Sequence, residues 1–234
     1  DATGELTKKH MTGSNGAIAG QNIDVAYMAR IYTEKAGPND AEAKPLYGAF
    51  SIKDLSFSEG DGRFGYDELR SDGFTVRMPP EPLAETLTAL TAKENLNELP
   101  PEEQKAILKK ALSLLDIIGK SNIQALGFKA DAPNKAEGST GERVKAGIER
   151  IEMQMDGHKV DFAMHGMNVG SGADTFGVDE LSLKGFDWGS TVKGLSEIAG
   201  LDETQLATYP FNLLMPEIGR VRLSGVNIDA IAPE

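Results

Sequence analysis

The chain has 234 residues and carries 24 Lys and Arg against 36 Asp and Glu, which gives a net charge of -12. This acidity argues against electrostatic binding to nucleic acid or to an anionic membrane, because binding to either needs clustered basic side chains. The absence of Cys excludes thiol catalysis, disulfides and iron–sulfur clusters. No apolar run approaches the roughly 18 residues that a membrane-spanning helix needs. We therefore expect no cofactor, no nucleic-acid partner and no transmembrane segment.

The N-terminal part of the chain predicts a flexible segment followed by a strand. Residues 1–16 are mostly polar and include three Gly, which is typical of a flexible terminus. From Ile23 to Tyr32, apolar residues alternate strictly with other residues. Because side chains of a strand point alternately to its two faces, this alternation predicts a half-buried strand.

The next segment predicts a strand, a turn and a second strand with interrupted alternation. Phe50 and Ile52 alternate in one phase, and Leu55 and Phe57 alternate in the other. A strand with one buried face needs an irregularity to do this, so we predict a bulge or kink at Lys53–Asp54. Similar phase breaks between Tyr66 and Leu69 indicate a strongly bent sheet.

Helical patterns follow this pair of strands. One helix is predicted at about Pro82–Ala92. A second begins at Pro100-Pro101 with acidic residues in its first turn and is predicted to end at Gly119. Its apolar positions repeat at helical spacing and include Leu112 and Leu115.

The chain repeats itself once. When the sequence is shifted by 112 residues, Phe50–Phe74 falls on Phe162–Phe186 without a gap. Nine positions are then identical, among them the motif Phe-Gly-x-Asp-Glu-Leu. Later in each copy Gly127 matches Gly225. We predict one domain with internal duplication, made of a first half (17–130), a linker (131–141) and a second half (142–234).

The second half predicts the same kinds of element as the first. Ile151, Met153 and Met155 alternate with polar residues, and its phase break falls at His165–Gly166. Ser190 or Thr191 can cap a helix to Ile198, Asp202 can cap a short turn, and a strand begins near Val221. The predicted fold class is α+β, with two related strand-turn-strand-helix-strand halves forming a strongly curved, mostly antiparallel sheet packed on amphipathic helices.

One segment resembles part of an EF-hand calcium loop. If Gly62 takes the sixth position of such a loop, Glu68 takes the twelfth, but Phe57 then takes the first and cannot bind Ca²⁺. The flanking residues also alternate like strands. We therefore expect no metal site, and only Glu59, Asp61 and Asp67 remain as weak Ca²⁺ candidates.

The duplicated acidic pairs raise the possibility of catalysis. Asp67-Glu68 and Asp179-Glu180 could serve as acid and base if the two halves brought them together in a cleft. Adjacent residues of a strand point to opposite faces, so each pair more simply solvates a strand edge or a turn. Without any other catalytic motif, the sequence leaves enzyme activity uncertain and favours its absence.

The methionines point to a hydrophobic ligand. Met153, Met155, Met164 and Met167 lie in two neighbouring strand segments, where they would form an adaptable apolar surface. With Leu112 and Leu115 of the long helix, they are the candidate lining of a cleft between sheet and helices.

The function that we predict is non-enzymatic binding of a lipid or other apolar molecule in that cleft. The alternative is a structural or protein-interaction module of a bacterial envelope or surface protein, with no small-molecule ligand. The lack of Cys and the high Gly content favour a periplasmic or secreted location, and a cytoplasmic one stays open.

Overall fold

The computed structural model describes residues 10–92, 99–135 and 141–230, which form one large antiparallel sheet with helices at one end. Its strands are Met11–Ser14 (β1), Ile18–Gln21 (β2), Lys44–Tyr47 (β3), Ala49–Glu59 (β4), Gly62–Val76 (β5), Ile118–Pro133 (β6), Arg143–Asp156 (β7), Lys159–Ser171 (β8), Asp174–Asp187 (β9) and Arg220–Asp229 (β10). Its α-helices are Val25–Thr33 (α1), Leu83–Thr91 (α2), Pro101–Asp116 (α3), Gly189–Ile198 (α4) and Glu203–Ala207 (α5). The chain is thus α+β, with a curled antiparallel sheet as its main component.

The sheet is a meander in which consecutive strands are neighbours. From β4 to β10 each strand pairs with the next one in the chain, and β1 and β2 both pair with the outer side of β4. Three of the hairpin loops consist of two residues each. The first residue of each loop is a glycine with positive φ: Gly60 (57°), Gly157 (59°) and Gly172 (61°). A glycine at that position suits the tight turns that join antiparallel strands.

The segment from Ile23 to Tyr32 is helical, so the strand predicted there is wrong. Tyr27 and Ile31 lie four residues apart on one side of α1, and they are 4% and 5% exposed. The Asp24 carboxylate caps the helix by accepting a hydrogen bond from the Tyr27 backbone N–H at 2.8 Å. A spacing of four residues fits both the alternation of a strand and the period of a helix. The N-terminal cap and the burial of Tyr27 and Ile31 against the rest of the protein favour the helix.

The best-buried apolar cluster lies where α1 meets the end of β5. Tyr27 and Ile31 pack there with Val76 and Met78, and Leu46 and Phe74 flank the cluster. The Tyr27 hydroxyl donates a hydrogen bond to the Val76 carbonyl at 2.8 Å, and burial raises its pKa. This cluster anchors the helices to one end of the sheet.

Three boundaries differ from the sequence predictions. Met11–Ser14 forms a strand on β4, although residues 1–16 were expected to be a flexible terminus. β6 continues to Pro133 and β7 starts at Arg143, so the predicted linker 131–141 is largely a hairpin connection, of which 136–140 lie outside the described residues. α3 ends at Asp116, before the predicted stop at Gly119, because Gly119 already belongs to β6 and its backbone packs against Thr75.

The other predicted helices are confirmed. α2 and α4 occupy the expected segments, and Asp202 caps α5 through a reciprocal pair of hydrogen bonds with Gln205. Among the helices within the described ranges, none combines the length and apolar character that crossing a membrane requires.

Candidate functional site

Two apolar rows cross the sheet near its helical end. Residues that lie directly opposite each other in antiparallel strands point to the same face, so a row of such residues marks one face of the sheet. We call these two the upper rows. The first consists of Ile52, Leu69, Ala125, Ile151, Met164, Leu181 and Leu223, and the second of Phe50, Ser71, Ile123, Met153, Phe162, Leu183 and Val221.

Two further apolar rows cross the half of the sheet away from the helices, and we call them the lower rows. Aromatic rings pack within them, with centroids 5.0 Å apart for Phe57 and Phe64 and 5.1 Å apart for Tyr66 and Phe128. The first consists of Leu55, Tyr66, Phe128, Ile148, Met167, Val178 and Val226, and the second of Phe57, Phe64, Ala130, Ala146, Val169, Phe176 and Ile228.

A line of irregular backbone separates the upper rows from the lower rows, and we call it the crease. In all seven strands the apolar positions on its two sides are three residues apart, as in Ile52 and Leu55 or Leu223 and Val226. Every second strand has a left-handed residue at the crease, which is Asp54, Gly127, Gly166 or Gly225, with a φ between 52° and 64°.

The crease confirms the kinks predicted at Lys53–Asp54 and His165–Gly166, but not a bulge. The pairing of β4 with β5 keeps one register on both sides of Asp54, from Lys53 opposite Glu68 to Leu55 opposite Tyr66. No residue is inserted at this point, and Asp54 has a left-handed backbone with a φ of 52°.

Acidic side chains lie over the glycines of the crease. A Cβ atom on Gly127 would be 1.9 Å from an Asp67 carboxylate oxygen, and one on Gly225 would be 2.0 Å from an oxygen of Asp179. Glu149 covers Gly166 in the same way, with its Cδ atom 2.5 Å from the corresponding position. Only glycine leaves room for these side chains, and its left-handed φ is free of strain.

The apolar rows are only partly covered. Among the row residues, Ser71 and Val178 alone are buried. Phe64, Ile123 and Phe176 are 38–40% exposed, and the four apolar residues of β10 in these rows are 50–67% exposed. Exposed apolar surface of this extent is typical of a binding surface.

The opposite side of the upper half of the sheet is polar. Its residues include Arg70, Gln124, Glu152, Ser182 and Arg222, which lie opposite one another across the strands. The Arg70 guanidinium donates to the Gln124 side-chain oxygen at 2.8 Å. The Ser182 hydroxyl donates to Glu180 at 2.8 Å and lowers the pKa of that carboxylate. The two faces of the sheet therefore differ sharply in chemistry.

A hollow of about 820 Å³ lies at the end of the lower rows that is farthest from the helices. Phe64, Ala130 and Ala132 supply apolar wall, Arg63 and Lys135 supply basic groups, and Glu59 and Asp61 supply acidic ones. Its volume is within the range of small-molecule sites. The hollow joins an apolar surface to a rim that carries charges of both signs.

A second depression, of about 630 Å³, lies beside β1 and is lined by hydroxyl groups that the sequence reasoning missed. Thr12 and Ser58 are hydrogen-bonded at 2.7 Å, and Ser14 and Ser56 at 2.8 Å. These hydroxyls bond each other and hold β1 on β4. Alternation of Thr and Ser in both segments was the available signal.

The methionines predicted to line a ligand site all belong to the strands that form the rows. Met153 and Met164 are members of the upper rows, and Met155 lies two residues beyond Met153 on the same face. Met167 lies across the crease in a lower row. Leu112 and Leu115 lie on α3, which packs chiefly on α2, α4 and β6.

The weak calcium candidates are spread along a hairpin. Glu59 and Asp61 flank the loop between β4 and β5, whereas Asp67 lies six residues from Asp61 along β5, about 20 Å at the usual rise of a strand. Lys129 donates to Asp67 at 2.9 Å. In the part of the chain that the structure describes, no group of three or more His, Cys, Asp or Glu side chains is arranged to hold a metal ion.

The two acidic pairs do not converge on one cleft. Asp67-Glu68 is on β5 and Asp179-Glu180 is on β9, four strands away, which corresponds to about 19 Å along the sheet. The carboxylates of Asp67 and Glu180 are instead bonded to Lys129 and Ser182. The arrangement does not favour acid–base catalysis by these two pairs.

Comparison of the chain with protein-family models, with curated proteins and with solved structures finds no match in any of the three. The rows, the crease and the hollow are therefore the features from which a function can be inferred.

Proposed function

We propose that the chain binds a hydrophobic ligand with an acyl chain, such as a fatty acid or a lipid, along the apolar rows of its sheet. The observation that carries this proposal is the partial exposure of apolar rows that cross seven strands. Burying apolar surface is worth roughly 25 cal/mol per Å², so an acyl chain laid on these rows would bind favourably.

We further propose that the upper and lower rows form one continuous surface. A left-handed residue within a strand redirects the side chains that follow it. This redirection at Asp54, Gly127, Gly166 and Gly225 would keep apolar residues on one side of the sheet, although they are three positions apart. The crease would then bend the surface around the ligand.

We propose that the polar headgroup of the ligand lies in the hollow beyond the lower rows. Arg63 and Lys135 line it together with Glu59 and Asp61, beside the apolar Phe64. A headgroup at this rim would face charged groups of both signs while its acyl chain lay on the lower rows. Participation of Leu112 and Leu115, as well as a periplasmic or secreted location, stays a prediction.

The internal duplication also belongs to this proposal. Asp67 covers Gly127 in the first copy, and Asp179 covers Gly225 in the second. Gly73 and Gly185, which the repeat matches, both have left-handed backbone with φ values of 84° and 72°. These correspondences support two related halves that form one domain and one binding surface.

Binding of a fluorescent fatty acid tests the proposal. Two variants, Met153→Lys and Phe176→Lys, introduce a lysine into the apolar rows. Two others, Gln154→Lys and Thr175→Lys, introduce it at the neighbouring residues, which point to the other face. We expect saturable binding by the unmodified chain, weakened about tenfold or more by at least one apolar-face variant, because a charge there opposes burial of the acyl chain.

The two neighbouring variants serve as matched controls and should bind like the unmodified chain. Circular dichroism would verify that all four variants retain the strand content. Absence of binding by the unmodified chain, or equal losses on the two faces, would contradict the proposal.

A further inference from the structure

The strands of the sheet are of two alternating kinds. β4, β6, β8 and β10 have the left-handed residue of the crease, and β5, β7 and β9 have an acidic residue at the same level. The acidic strands share the pattern apolar-Gly-apolar-acid-x-apolar. It reads FGYDEL from Phe64, AGIERI from Ala146 and FGVDEL from Phe176. The segment from Ala146 is a third instance that the comparison of two halves missed, because only its glycine is identical.

Inner strands of the first kind have an acidic strand on both sides. β6 lies between β5 and β7, and β8 lies between β7 and β9. β10 has the same left-handed glycine, Gly225, but has an acidic strand, β9, on one side only. None of the described strands pairs with its other side, so within residues 10–92, 99–135 and 141–230 β10 is an edge of the sheet.

The edge at β10 has features that favour pairing. β10 has ten residues, and its pairing with β9 keeps a single register from Arg220 to Asp229. Val221, Leu223, Val226 and Ile228 extend all four apolar rows to this edge and are 50–67% exposed. Such a long and regular edge strand can pair with an added strand through its unpaired backbone groups.

We propose that β10 binds an extended strand of another polypeptide, antiparallel to it, with the pattern apolar-Gly-apolar-acid-x-apolar. The acid of that strand would lie over Gly225 from the open side, and its apolar residues would continue the rows. The Arg222 side chain, which is 62% exposed, lies with its Nε atom 3.7 Å from a carboxylate oxygen of Glu180 on β9, and it could also contact a second acidic residue of the added strand.

A second copy of this chain does not meet these requirements. The three strands of the acidic kind, β5, β7 and β9, already have a partner on each side. If β10 paired with β10 of another copy, two strands with a left-handed glycine at the crease would lie side by side, and neither would supply the acidic residue. The partner that fits is therefore a separate strand.

A peptide with the sequence of β9, DTFGVDELSLKGFD, is a direct probe. We expect saturable binding of the labelled peptide to the chain, and at least about tenfold weaker binding of a peptide with the substitution D179K, numbered as in this chain. Leu223→Lys and Val226→Lys in the protein should weaken binding to a similar extent. Asn227→Lys, on the same strand but the other face, is the matched control and should not.

Hydrogen–deuterium exchange locates the bound peptide. The proposal predicts added protection in β10, with β9 unchanged. The proposal would be overturned if the peptide did not bind, or if D179K left its affinity unchanged. It would also be overturned if the added protection were confined to β1 and β2, or if β9 lost protection because the peptide replaced it. A dimer that protects β10 without any peptide would overturn it as well. Failure of fatty-acid binding would leave this result unaffected, because the peptide assay contains no lipid.

Discussion

The helical end of the molecule and its creased sheet differ in how far their apolar side chains are buried. Around α1, Tyr27, Ile31, Val76 and Met78 are all at most 5% exposed. In the sheet, long apolar rows are partly open, and they reach 67% exposure at Ile228. We infer that the helical end supplies more of the stability of the fold, and the open rows are the surface on which the proposed ligand and strand would bind.

Truncation of a core residue should give the largest contrast between these regions. We expect Ile31→Ala to lower the free energy of unfolding by about 2–5 kcal/mol, because it leaves a cavity beside Tyr27. Leu223→Ala, at a position that is 58% exposed in the sheet, should cost under about 1 kcal/mol. Urea denaturation of both variants measures the difference, and equal losses would refute the division of roles.

The crease should be the most sensitive part of the sheet. Gly127→Ala is expected to cost about 2–3 kcal/mol, since it adds left-handed strain to a clash with Asp67. Gly60→Ala is the matched control, because Gly60 has a similar φ of 57° and open space around it, and it should cost about 1 kcal/mol.

A double-mutant cycle separates strain from the clash at Gly127. When Asp67→Gly is introduced first, Gly127→Ala should become about as mild as Gly60→Ala, because the carboxylate no longer occupies the space. If the loss stays the same in that background, the packing of Asp67 on Gly127 is not what makes the crease sensitive.

Removal of one buried hydroxyl should have a moderate effect at the helical end. Tyr27→Phe leaves the Val76 carbonyl without its donor and should cost about 1 kcal/mol. Tyr32 is on the same helix and 51% exposed, so Tyr32→Phe should be near neutral. Thermal unfolding of the pair measures this difference, and similar melting temperatures would argue against the role of the bond.

The smallest effect is expected at Asp40, in the loop that follows α1, and it should depend on pH. The Gly37 backbone N–H, and then Lys44, donate to this carboxylate and lower its pKa below 3.8. A lowered pKa in the folded state stabilises the fold above the unfolded value, and this contribution disappears as the pH falls through the folded value.

Asp40→Asn should therefore destabilise the chain slightly at pH 7, and this deficit should disappear as the pH falls through the lowered pKa of Asp40 in the folded state. Urea denaturation at several pH values measures this, with Glu42→Gln as a charge-matched control in the same loop. A deficit that stays constant down to the lowest pH would contradict the assigned cause.

Local patterns were the part of the fold that could be predicted. Helix caps at Pro100 and Asp202, the hairpin glycines and the kink at Asp54 depend on neighbouring residues, so they can be recognised in sequence. The segment from Ile23 to Tyr32 could not be assigned, because Tyr27 and Ile31 fit both periods until burial against Val76 decides between them.

The candidate site was predictable in its composition and not in its location. Met153 and Met164 mark apolar strand faces in the sequence, and those faces exist in the sheet. Cover of such a face by helices is a long-range property that no local pattern encodes. Likewise, the acid–glycine pairs become visible only when Asp67 is known to lie opposite Gly127, sixty residues further along the chain.

The sequence by itself determined the α+β class, the antiparallel hairpins, most helices and the positions where strand alternation breaks. These features follow from side-chain periodicity and from the backbone preferences of Gly, Pro and capping residues. Only the tertiary structure decided that the breaks align into one crease, that the apolar rows stay partly open and that β10 has a single neighbour among the described strands. Those properties depend on register between distant strands, which is set by the packing of the whole sheet.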